Sequence, residues 1–139
     1  TVTGLTRGVT REHFIRAVTE SLAYQTNDLL CAMKEESGLA LGSLKVDGGA
    51  SANSFLMQFQ ADLSDTQIQR PRCIETTALG AAYLAGLASG FWRDPDEIRG
   101  NWACERTFSP AVSQQRRQEL LKGWKRAVRC AMAWAKDED

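Results

Sequence analysis

The sequence predicts a helix-rich α/β chain that supplies part of a fold rather than the whole of one. Three observations carry that expectation. Leu44 and Val46 alternate with Lys45 as a short buried strand does, and the chain then turns through Gly48 and Gly49 into a helix. Long segments on either side repeat apolar residues at helical spacing. Only two runs read as strands, too few for a self-contained α/β sheet, so the apolar helix faces need a partner from outside the chain.

Taken in order, Thr10 reads as an N-cap, and Phe14, Val18, Leu22, Leu29 and Met33 form a stripe that ends at Ser37 and Gly38. The stripe is expected to face the core, with a partner-binding face as the alternative. A strand over 44–47 leads through the glycine pair to a helix over 51–64, where Phe55, Leu56, Phe59 and Leu63 recur at helical spacing. Asn53 then falls about one turn into that helix. A second strand runs from Thr66 to Gln69, and Pro71 ends it. The next helix, Thr76 to Ala88, is built from small residues such as Ala78, Gly80, Ala81 and Ala82, which suits close packing on the sheet. Glu75, Thr76 and Thr77 read as its capping groups.

Residues 90–110 read as a packed loop anchored by Trp92, Trp102 and Phe108, with one short helical turn opening at Asp94 and Pro95. A last helix, Ser113 to Ala135, sets Leu120, Trp124, Ala127, Ala131 and Trp134 on one face. Arg116, Arg117, Lys125 and Arg126 are then expected in solvent. Asp137, Glu138 and Asp139 oppose the dipole at its C-terminus and should fray.

Composition narrows the function classes. The 139 residues are 43% apolar and 24% charged, which is ordinary globular material, and 17 basic residues balance 17 acidic ones. Without a basic surplus, nucleic acid and anionic membrane are not expected partners. No apolar run reaches the roughly 18 residues of a membrane span, and no signal-peptide layout opens the chain, so a cytoplasmic location is expected. Cys31, Cys73, Cys104 and Cys130 are dispersed, no Cys-x-x-Cys occurs, and His13 is the one histidine. They read as buried or incidental thiols, with no metal ligand set among them.

The glycine pair is the candidate binding feature. A backbone without side chains lets a ligand approach closely, and a helix start offers unpaired N–H groups to an anion. Asn53 would face the same ligand. The competing reading is a tight turn that needs positive φ. There is no Walker-type loop and no Gly-x-Gly-x-x-Gly fingerprint. Asp47 and Asp62 are the nearby carboxylates; Asp47 reads as ordering the turn, and neither is assigned as a catalytic base.

The longer text is more specific. Residues 47–63 (DGGASANSFLMQFQADL), 68–71 (IQRP) and 75–92 (ETTALGAAYLAGLASGFW) closely resemble the C-terminal domain of the FGGY carbohydrate kinase family. The Gly-Gly turn and the Ala78–Ala82 block are shared with the family at large, whereas Phe55 to Asp62 and Gly90-Phe91-Trp92 look more like its glycerol kinase branch. Gly4-Leu5, His13-Phe14, Ala17-Val18 and Glu20 fit the latter part of a family signature, from which Thr19 departs. The similarity extends to Gly123-Trp124-Lys125-Arg126-Ala127 and the Ala-rich end.

The resemblance implies a partial ribonuclease H-like domain of the actin and hexokinase type, with residues 1–139 forming the later half of the kinase C-terminal domain and carrying its adenosine-binding element. Gly48, Gly49 and Asn53 are the implied nucleotide contacts. The implied reaction is transfer of the ATP γ-phosphoryl group to glycerol, giving sn-glycerol 3-phosphate and ADP. The phosphate loop, glycerol contacts, catalytic aspartate and Mg²⁺ ligands are all expected outside this chain, which holds no catalytic and no metal residue. Its implied partner is the remainder of the kinase, a homo-oligomer at full length. Alternatives are a family member acting on another sugar or polyol, and a non-catalytic interaction module derived from the kinase core. The chain alone is expected to be inactive and prone to self-association.

Overall fold

The computed structural model describes residues 1–136, so the expected fraying of Asp137, Glu138 and Asp139 lies outside it. Helix α1 (Arg11–Ser37) is followed by β1 (Ser43–Lys45), a 3₁₀ turn (Gly49–Ala52), α2 (Ser54–Ser64), β2 (Gln67–Pro71) and α3 (Thr76–Ala88). Then come α4 (Pro95–Arg99), β3 (Cys104–Phe108) and α5 (Gln114–Lys136). The ends of α1 are set by local chemistry. Thr10 is the extended N-cap, its N–H donating to His13 Nδ1 at 3.1 Å, and Gly38 closes the helix at φ 67° with its N–H on the Lys34 carbonyl.

The sheet has the order β1-β2-β3. Strands β1 and β2 are parallel, with Leu44 opposite Ile68 and α2 as the crossover. Strand β3 lies antiparallel to β2, with Phe108 opposite Ile68. This third strand corrects the two-strand reading. Residues 104–107 are exposed and only Phe108 is buried, so the segment lacks the apolar alternation that marks a strand in sequence. Its pairing is specified by β2.

One face of the sheet carries α2, with α1 and α5 beyond it. Leu56, Met57, Phe59, Ala61 and Leu63 of α2 meet Ile68, Phe108 and Ala23 in the core. Tyr24, Leu44, Val46, Leu120 and Leu121 pack around its edge. The face α1 buries is not the predicted one. Ala23 and Asn27 are the residues it buries, whereas Phe14, Val18, Leu22, Leu29 and Met33 are all exposed, Leu29 at 61%. The small side chain of Ala23 lets α1 close on α2, while among the described residues no further layer covers the larger apolar stripe.

Helix α3 also departs from expectation. It has the predicted limits, yet none of its residues is buried, so its small side chains are not used against the sheet. A close packing that it does make is local: a Cβ at Gly86 would come within 2.5 Å of the Trp92 ring, which also meets Tyr83 edge-on. Glu75 makes no side-chain cap, and the Thr76 hydroxyl donates instead to Asp47. On α5, Arg117 leaves the predicted solvated face to donate to the Leu63 carbonyl at 2.7 Å and to Asp65 at 3.3 Å. All four cysteines are free and exposed rather than buried.

Tyr24 stacks on Trp124 with centroids 5.1 Å apart and meets Phe59 edge-on at 5.5 Å. Burial, reinforced by the charge of Glu20, pushes its phenol up to about 12. The fold therefore favours neutral Tyr24, and that contribution is complete below the ordinary value of 10.0 and disappears as pH rises toward 12. Ultraviolet titration is expected to show a tyrosinate that forms late in the parent and is missing in Tyr24→Phe; its appearance near pH 10 would contradict this packing.

Candidate functional site

The turn after β1 is held at its beginning by two bonds to the segment before α3. The Gly48 N–H donates to the Ile74 carbonyl at 2.7 Å, and the Asp47 carboxylate accepts from the Thr76 hydroxyl. Gly48 sits at φ 74° and ψ 170°, a conformation that residues with a Cβ rarely adopt, so the backbone accounts for glycine there. Ser51 closes the loop from within, its hydroxyl and its N–H reaching the Gly48 carbonyl at 2.7 and 3.0 Å.

Gly49 is different. It is exposed, its φ is not positive, and a Cβ built on it meets nothing within 4 Å. Neither conformation nor packing within the described residues calls for glycine at this position. The turn thus presents bare backbone to open space beside a helix start.

Asn53 is not one turn inside a helix, as the sequence suggested, but at its threshold. The 3₁₀ turn ends at Ala52, and Asn53 is extended (φ −76°, ψ 100°) and caps α2, its Oδ1 accepting the Leu56 N–H at 3.2 Å. A short carbonyl side chain satisfies an orphan N–H better there than a further helical residue would. The side chain is exposed, so its Nδ2 can still donate outward while Oδ1 is engaged. Gly48, Gly49 and Asn53 therefore share one compact turn.

The structure adds a residue that sequence reading passed over. Arg70, only 9% exposed, projects from β2 to the end of this turn. Its Nη1 donates to the carbonyls of Ser51 at 3.0 Å and Ala52 at 3.2 Å and to the Ser54 hydroxyl at 3.3 Å. Its Nε donates to Glu105 at 2.7 Å, and the guanidinium lies 5.3 Å from the centre of the Phe108 ring. The Glu105 partner has a backbone cause. Pro71 has no N–H for the ladder, the β2–β3 register shifts between Arg70 and Pro71, and Glu105 is the residue left over. The Arg70 hydrogen bond holds the Glu105 carboxyl below its usual range. In sequence Arg70 shows only as an arginine one residue before a proline, and nothing there said that it would be buried or what it would hold.

The nearby carboxylates are already engaged. Asp62 is buried and accepts from Gln58 Nε2 at 3.0 Å and from the Ala111 N–H at 2.8 Å, which ties α2 to the segment before α5. Between α1 and β1 runs a groove lined by Leu22, Val46, Asp47, Ser51 and Gln60. Gln60 is buried there, and its Nε2 meets no acceptor. Among the described residues no three His, Cys, Asp or Glu side chains gather as metal ligands. Among the same residues no helix is long and apolar enough to cross a membrane.

Residues 1–89 match the C-terminal domain of the FGGY family of carbohydrate kinases. The chain belongs to that family. It is 64% identical over 137 residues to a glycerol kinase of Lachnoclostridium phytofermentans and 61% identical over 137 residues to glycerol kinase 1 of Clostridium tetani. Each alignment covers 99% of this chain and 28% of the relative, so the chain spans little more than a quarter of these FGGY kinases. In three dimensions it resembles Plasmodium falciparum glycerol kinase, solved with ADP, at a TM-score of 0.80 and 30% identity. That match covers 93% of this chain and 26% of the other. A xylulose kinase of Rhodospirillum rubrum, 20% identical, shares the fold at a TM-score of 0.75 over 96% of this chain and 28% of its own. The helix-rich α/β architecture is thus that of the FGGY kinases, whose fold is of the actin and hexokinase type.

Proposed function

We propose that this chain forms the later half of the C-terminal domain of a glycerol kinase, and that its Gly48–Gly49 turn receives the adenosine end of ATP or ADP. The observation that carries the reading is Gly49. A glycine that neither φ nor packing requires, facing open space, suits a backbone that a ligand must approach. Gly48 sets the course of the turn, and the Nδ2 of Asn53 supplies an outward donor close to the base.

At full length the protein transfers the γ-phosphoryl group of ATP to a primary hydroxyl of glycerol, yielding sn-glycerol 3-phosphate, ADP and a proton. Identities of 61–64% to glycerol kinases support that substrate. The part played by this chain is to hold the nucleotide so that its far end reaches the cleft, a matter of orientation rather than bond-making. Glycerol contacts, the base that takes the hydroxyl proton and the Mg²⁺ ligands belong to the remainder of the kinase. A cytoplasmic homo-oligomer is the corresponding state of the whole protein.

A coupled ADP-release assay tests the reading. The full-length protein is expected to release ADP with glycerol and far less with xylulose or other sugars, while residues 1–139 alone should match the no-protein control. A preference for another polyol would replace the substrate, and turnover by the chain alone would overturn the division of labour.

A further inference from the structure

We infer that Arg70 is a positioning residue for the nucleotide turn, fixing where Gly49 and Asn53 stand by gathering the carbonyls that follow the glycine pair. The inference rests on the reading that those two residues meet nucleotide.

The turn is tethered at two ends by different means. Its beginning is held by Gly48 on Ile74 and by Asp47 on Thr76. Its end is held by Arg70, which reaches the carbonyls of Ser51 and Ala52 and the hydroxyl of Ser54 on either side of Asn53. These carbonyls lie where the 3₁₀ turn stops and the chain becomes extended at Asn53, so the regular ladder gives them no donor. Ser51 is 1% exposed, and solvent cannot replace the guanidinium at its carbonyl. A planar cation with several fixed donors can serve these acceptors and Glu105 at once, which a neutral side chain cannot.

The arrangement also predicts what removal of Arg70 would do. The apolar core of α2, Ile68 and Phe108 stays intact, and Gly48 stays tied to Ile74. What is freed is the segment carrying Asn53. The loss should therefore fall on nucleotide and spare glycerol.

The test uses the full-length protein, with ADP and glycerol each titrated calorimetrically against the parent, Arg70→Met, Arg70→Lys and Gly49→Val. Arg70→Met is expected to weaken ADP by about tenfold and to leave glycerol within about twofold, as for loss of charge-assisted hydrogen bonds at one ligand's site. Arg70→Lys, which keeps the charge but not the fork, should recover part of the ADP affinity. A folded Arg70→Met with parental ADP binding would overturn the inference, and so would equal losses for ADP and glycerol. Should Arg70→Met fail to fold, Arg70→Lys decides: ADP weakened by about threefold with glycerol unchanged supports positioning, and parental ADP binding refutes it. Gly49→Val separates the two ideas. If it binds ADP normally, the nucleotide reading itself fails; if it does not while both Arg70 variants do, only the role of Arg70 fails.

Discussion

Gly49→Val in the full-length protein is expected to weaken ADP binding by more than about tenfold, because a branched side chain then occupies the open space beside the turn proposed to receive the nucleotide. The protein itself offers that side chain no obstacle, since nothing lies within 4 Å of its Cβ. Folding should be unaffected, and the glycerol dissociation constant should hold. Asn53→Ala should cost less, about 0.5–1.5 kcal/mol or roughly twofold to tenfold for one ordinary hydrogen bond. Gly48→Val supplies the contrast. At φ 74° the new residue is strained whatever its surroundings, so the expected penalty of about 1–3 kcal/mol appears as lost stability. Calorimetry with ADP and with glycerol, alongside a thermal melt, separates these outcomes. Parental ADP binding by folded Gly49→Val and Asn53→Ala proteins would reduce the feature to a turn and a helix cap.

The largest stability effect is expected at Phe108. Its side chain is 2% exposed, packs in the core opposite Ile68 and lies under both Arg70 and Arg106, at 5.3 and 4.7 Å. Truncation to alanine should cost about 3–5 kcal/mol, a large part of the stability of an ordinary domain. The loss should be felt first as faster amide exchange in β2 and β3, which Phe108 clamps together. Ile68→Val, by comparison, removes one methyl and should cost about 0.5–1.5 kcal/mol. A Phe108→Ala protein with parental exchange in both strands would show that β3 is dispensable to the core.

What could be read from sequence was what short-range chemistry decides. Thr10 and Gly38 bound α1 because capping and a left-handed residue are local events, and residues 76–88 form α3 where small helix-forming residues predict it. The family was legible for a related reason, since the Gly-Gly turn and the Ala78–Ala82 block each sit within one stretch of chain. What was illegible depends on distant neighbours. Strand β3 exists because β2 offers it a ladder, and α1 buries Ala23 and Asn27 because α2 selects that face over a richer apolar stripe. Asn53 became a cap because a 3₁₀ turn used up the residues before it. Arg70 is the extreme case, with acceptors 16 to 19 residues upstream and a carboxylate 35 residues downstream.

Gln60 carries a consequence of another kind. Its side-chain amide is buried with an Nε2 that no acceptor among the described residues meets, and leaving such a donor unpaired costs about 1–3 kcal/mol. Its two amide protons make the residue a spectroscopic witness inside the groove between α1 and β1. In the chain by itself those protons exchange with whatever water enters, and any acceptor brought to the groove would slow them and move their resonances. One glutamine thereby reports, at a single atom, whether that groove is filled.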